Sequence, residues 1–196
     1  HHLGVVTFSA GVALASVDRY CGSGTAVIFT LLGIARGAAG ANAVAWSEAP
    51  LSPPPWSATH GHAAVILQDA TAVSLQGTNG VLTTKSVFAI APGATTLVEV
   101  TADAGAGYLS GHCAVRLPTT DVIVIITAVY GVTNAAWRST DKGATFTEIS
   151  SAVFPQVRHG FGCIAISATE IYAFGGMSYN VSGDTFHNDI RVSVDA

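Results

Sequence analysis

The side chains best suited to chemistry in this chain are its histidines, cysteines, tyrosines, arginines and carboxylates. His60 and His62 flank Gly61, His112 and His159 follow at long intervals, Tyr20 adjoins Cys21, and Tyr108 and Tyr172 stand alone. Imidazoles at positions i and i+2 project from one side of a strand, where a pair can ligate a metal ion. His62 and His112, however, share one phase of a repeat, as a packing or turn residue reused in each unit would. We read them as structural and expect no metal and no other cofactor. Arginines stand at 19, 36, 116, 138, 158 and 191, and such residues can clamp a substrate carboxylate. Arg138 and Arg158 flank repeat motifs, while Asp141, Asp184, Asp189 and Asp195 fall in turn-like sequence rather than as a catalytic pair. No catalytic residue is expected. Cys21, Cys113 and Cys163 lack a CxxC spacing, which argues against zinc or thioredoxin chemistry. One disulfide with a free thiol and three buried thiols both fit. Asn180-Val181-Ser182 is a sequon in Gly- and Ser-rich sequence, so Asn180 is a candidate N-glycosylation site.

Composition narrows the setting for these residues. Of 196 residues only 10% are charged, 49% are hydrophobic and the net charge is −4. Disordered chains combine low hydrophobicity with high charge, and nucleic-acid binders carry a basic stripe; neither describes this chain. The longest apolar runs, Thr25 to Ala35 and Val122 to Val132, are about half the ~20 residues of a transmembrane helix. No membrane span is expected, and the length suits one domain over 1–196.

The elements that must position these residues are repeated. Gly61-His62-Ala63-Ala64-Val65 returns 50 residues later as Gly111-His112-Cys113-Ala114-Val115, and again, more weakly, as Gly160-Phe161-Gly162-Cys163-Ile164. His2-Leu3-Gly4-Val5-Val6 starts the chain in the same manner. Trp46-Ser47-Glu48 and the Pro-rich run Pro50 to Pro55 precede His60-Gly61 as Phe146-Thr147-Glu148 and Phe154-Pro155 precede His159-Gly160. Units at about 1–59, 60–109, 110–158 and 159–196 result. Within them the apolar stretches are short, rich in Val, Ile and Thr, and bounded by Gly, Asp or Asn, which is strand chemistry. Ala114 to Leu117, Asp121 to Val129, Ala135 to Arg138 and Thr145 to Ile149 read as four strands. Gly162 to Ile166, Glu170 to Phe174 and Asp189 to Val194 read as three more. The class is all-β.

A period near 50 with four strands per unit resembles a β-propeller, each unit one blade. Arg158-His159-Gly160, Ile171-Tyr172-Ala173-Phe174-Gly175-Gly176 and Asn188-Asp189-Ile190 resemble the kelch blade, in which Gly175 and Gly176 would make the turn after an apolar strand. Ser139-Thr140-Asp141-Lys142-Gly143-Ala144-Thr145-Phe146 resembles the Asp box, or BNR repeat, of sialidase-like and sortilin-like propellers. That resemblance implies that Ser139 and Asp141 cap a turn, Gly143 forms its corner, Thr145 completes the motif and Phe146 anchors the hairpin between blades. Ser193-Val194-Asp195 looks like the start of a second Asp box. Kelch propellers include galactose-oxidase-like copper enzymes with two His, two Tyr and a Tyr-linked Cys, and Asp-box propellers include sialidases. Neither active site is complete in these residues.

By phase the last blade lacks its outer strand. A fragment of a larger propeller, an open short blade, and pairing by a neighbouring copy all fit. An open edge on a surface poor in charge favours association. The expectation is a propeller of about four four-stranded blades that is secreted or displayed at the cell surface. Its role would be non-catalytic, with itself or related propeller subunits as partners in a fibre or extracellular layer. A sialidase-like glycosidase or a lectin, with glycans as partners, is the alternative.

Overall fold

The computed structural model describes residues 60–75, 77–78, 85–107, 110–129, 133–179 and 183–195. The chain divides into two compact units, His1–Pro50 and Leu51–Ala196, and the described residues all belong to the second. The repeat at 1–59 with its Pro-rich run, Cys21, Tyr108 and the sequon residue Asn180 lie outside the described residues.

Short β-branched segments separated by tight turns form antiparallel sheets. Strands β1 (Ala63–Ile66), β2 (Ala72–Leu75), β3 (Val87–Ile90) and β4 (Val98–Thr101) pair in sequence order as a first four-stranded sheet. β5 (Cys113–Arg116), β6 (Ile123–Val129), β7 (Thr133–Ser139) and β8 (Thr147–Ser150) form a second in the same order. β9 (Gly162–Ala165), β10 (Ile171–Phe174) and β13 (Ile190–Ser193) form a third, with β10 in the middle. β11 (Met177–Ser178) and β12 (Thr185–Phe186) make a small hairpin between β10 and β13. The described residues are therefore all-β in four antiparallel sheets and contain no helix, so none long and apolar enough to cross a membrane.

The repeats are visible in the backbone. The turn after the first strand of each sheet closes with an equivalent bond, Leu67 N–H to Thr71 O, Leu117 N–H to Val122 O and Ile166 N–H to Glu170 O. Third and fourth strands of the first two sheets slip register at Val87/Phe88 and at Ala136/Trp137. The first strands lie side by side, β5 between β1 and β9. At their starts, Gly111 N–H donates to Gly61 O and Gly160 N–H donates to Gly111 O, each at 3.0 Å. Glycine is needed for so close a step: Gly61 has φ +65°, and a Cβ there would stand 2.7 Å from the Gly111 nitrogen.

The middle sheet is buried on both faces, which explains the unbroken apolar run Ile123-Val124-Ile125-Ile126. Ile123 and Ile125 join Val65, Leu75 and Val87 of the first sheet in one core. Val124 and Ile126 join Val115, Phe154, Phe161 and Ile171 in a second core toward the third sheet. A disulfide between Cys113 on β5 and Cys163 on β9, Cα atoms 6.0 Å apart, ties these two sheets together.

Candidate functional site

The best-formed polar constellation is the turn between β7 and β8. The Ser139 hydroxyl donates to Asp141 Oδ1 at 2.7 Å and accepts the Gly143 N–H at 2.9 Å. Asp141 accepts the Thr145 N–H at 2.9 Å and its hydroxyl at 2.6 Å. Partial desolvation works to raise the Asp141 pKa, but these hydrogen bonds outweigh it and hold the carboxyl below its ordinary value. Gly143, at φ +93°, presses on the first sheet: a Cβ would lie 3.2 Å from Val87 Cγ1 and 3.4 Å from Val73 Cγ1. Phe146 is buried in the core between the first two sheets, and its N–H donates to Ala104 O at 2.8 Å. Lys142 reaches across to Asp69, Nζ to Oδ2 2.9 Å, with Asp121 Oδ2 at 3.8 Å. The Lys142 hydrogen bond, aided by the Thr71 N–H, lowers the Asp69 pKa to about 2. Ser139, Asp141, Gly143, Thr145 and Phe146 thus come together, and their polar atoms are turned onto one another. The arrangement staples two sheets.

A second constellation joins the other motif residues. Arg158, only 2% exposed, forks onto Asp189, with Nη1 2.5 Å from Oδ1 and Nη2 3.2 Å from Oδ2; Nη1 also donates to Gly175 O at 3.1 Å. Its guanidinium lies 4.6 Å from the centre of the Phe154 ring, a cation–π contact. Arg191 adds a bond from Nε to Asp189 Oδ2 at 2.7 Å. Arg158 first, and then Arg191, hold the Asp189 carboxyl far below the usual carboxylate range. Gly175 and Gly176, at φ +63° and +88°, carry the chain from β10 toward β11, and the Gly175 N–H donates to Asp189 O. An inward arginine already gripped by a carboxylate is a poor clamp for a substrate anion.

The histidines separate in role. His112 is buried with no hydrogen-bond partner on either ring nitrogen, and burial, with a smaller contribution from His62, pushes its pKa down to about 3. His62 is exposed, although it holds the same repeat phase, and the third repeat places buried Phe161 there. His159 stacks on Tyr179 with ring centres 4.3 Å apart, and His187 Nε2 lies 2.7 Å from Ser178 Oγ. The Tyr172 hydroxyl donates to Glu170 at 2.7 Å. Among the described residues no three His, Cys, Asp or Glu side chains are gathered to hold a metal ion. Sequence reasoning missed the Arg158–Asp189 fork, the Cys113–Cys163 pairing and the β11–β12 hairpin. The one available signal was that Arg158 and Asp189 both occupy motif positions.

Comparison of the chain with known protein families and with curated proteins finds no match in either.

Proposed function

We propose that the three stacked sheets are consecutive blades of a β-propeller of kelch-like and Asp-box type, and that the protein is a structural or interaction module. The observation that carries this reading is that its two polar motifs are spent on internal bonding: Ser139, Asp141 and Thr145 bond one another, and Arg158 is held by Asp189. Side-by-side first strands and equivalent turns support the propeller geometry. The low charge of the chain suits association with itself or with related propeller subunits, as a building block of a secreted or cell-surface fibre or layer. Sedimentation velocity over a wide concentration range tests this function, with species heavier than the monomer expected. A dilution-resistant monomer refutes it.

A glycan-acting role is the second reading, favoured by the half-exposed Tyr179 ring stacked on His159, a surface of the kind on which sugars pack. A glycan array and a fluorogenic sialoside separate the two. Retention of a glycan or turnover of the sialoside would move the assignment to this reading.

A further inference from the structure

One position of the repeat is filled in two ways. On the third sheet it holds Phe161, buried in the core shared with the second sheet and meeting the Phe154 ring edge-on with ring centres 5.0 Å apart. On the second sheet it holds His112, 6% exposed, with neither ring nitrogen hydrogen-bonded. A buried imidazole without a partner forfeits the hydrogen bonds it had in water, a cost that phenylalanine does not carry. What the histidine adds is a titratable group.

His112 stands where the first and second sheets meet. It follows Gly111, whose N–H is bonded to Gly61 O, and it precedes β5, which runs beside β1. Two residues on, Ala114 packs into the core between those sheets. The two seams of the stack are fastened differently at this end. β5 is tied to β9 by the Cys113–Cys163 disulfide, whereas β1 contains no cysteine and the Gly111–Gly61 hydrogen bond makes the step. At the opposite end the first and second sheets are held by Gly143 against Val73 and Val87 and by the Lys142–Asp69 pair.

We infer that the His112 end of this seam is an acid-operated joint, in which protonation of His112 parts β1 from β5 while the opposite end and the disulfide to β9 hold. An imidazolium there meets no counter-charge. Among the described residues the titratable group that acts on His112 is His62, at the start of β1; it is exposed to solvent protons, and once charged it repels a second cation. His60 adds another exposed imidazole before Gly61. At the start of β9, His159 stacks on Tyr179, and β6 contains no titratable residue. Lys85 and Asp103, at the same end of the first sheet, are bonded to each other at 3.2 Å. Burial, joined by His62, holds the His112 pKa at about 3 in the closed seam, so the open seam takes up the proton and gains population as pH falls below 6.5. The Lys142 hydrogen bond keeps the Asp69 pKa at about 2, so the pair at the other end stays charged through that range.

Two backbone amides make a matched test, Gly111 N–H across the first seam and Gly160 N–H across the second, each bonded at 3.0 Å. NMR-detected hydrogen exchange on the full chain, corrected for the intrinsic pH dependence of amide exchange, should show opening at Gly111 rising about tenfold or more from about pH 7 to about pH 5. Gly160 should change little. His112→Phe should abolish the rise at Gly111. An equal rise at both glycines, or a rise at Gly111 that survives in the phenylalanine variant, overturns the joint. Should that variant fail to fold, a histidine NMR titration of the wild type decides: a His112 ring that titrates near 6.5 in the closed protein overturns it, and one that stays neutral until Gly111 opens upholds it.

Discussion

Replacing Gly143 by alanine should destabilise the protein by about 2–4 kcal/mol. Two costs act together. The backbone at φ +93° is one that an L residue adopts at about 1–2 kcal/mol. The added methyl would sit 3.2 Å from Val87 Cγ1 and 3.4 Å from Val73 Cγ1, and both valines are fully buried, so neither can swing aside. Overpacking at such a site costs about 1–3 kcal/mol. Against this, alanine restricts the unfolded chain and returns about 0.4–1 kcal/mol. Gly93→Ala separates the two costs, because Gly93 has φ +74° and nothing within 4 Å of its added Cβ. That variant should lose no more than about 1–1.5 kcal/mol. Urea unfolding at neutral pH, followed by tryptophan fluorescence, measures both. Equal losses for the two variants, or a loss below about 1 kcal/mol for Gly143→Ala, would show that the turn does not press on the first sheet and would refute the staple.

His112 makes stability depend on pH. Its folded pKa of about 3 lies below the unfolded value of about 6.5, so the unfolded state binds the extra proton and stability falls as pH drops below 6.5. Down to pH 4.5 the loss is on the order of 2–3 kcal/mol, and His112→Phe, copying Phe161, should flatten that part of a stability-versus-pH curve. The Cys113–Cys163 bond closes a 50-residue separation and should contribute about 4 kcal/mol in the loop-entropy account, read as the shift in unfolding midpoint of the double serine variant. Arg158→Lys keeps the charge but not the fork, so its melting temperature should fall. Arg158→Met should fall further still, because Gly175 O loses its donor and Asp189 keeps only its more exposed bond to Arg191; a methionine variant as stable as the wild type would contradict the pairing.

Local order was legible because its causes are local. The Val122–Ile126 run, the valine and isoleucine segments around it, and the Ser139 to Phe146 turn declare themselves within a few residues, and the hydrogen bonds of that turn span no more than four. The hairpin β11–β12 did not, since two-residue strands have no period to detect. His62 and His112 looked equivalent in sequence, yet one is exposed and the other buried, because burial is set by tertiary packing and not by repeat phase.

By itself the sequence determined an all-β chain, the 50-residue repeat and the turn that closes β7 onto β8, because alternation, glycine and a capping serine act between near neighbours. Tertiary structure decided which distant residues meet. Arg158 finds Asp189 across 31 residues, Cys113 finds Cys163 across 50, and Gly111 bonds Gly61 only because first strands align. It also decided which apolar face is covered. Val115 and Ile164 carry the same sequence signal, and only the stacking of sheets buries one and leaves the other half exposed.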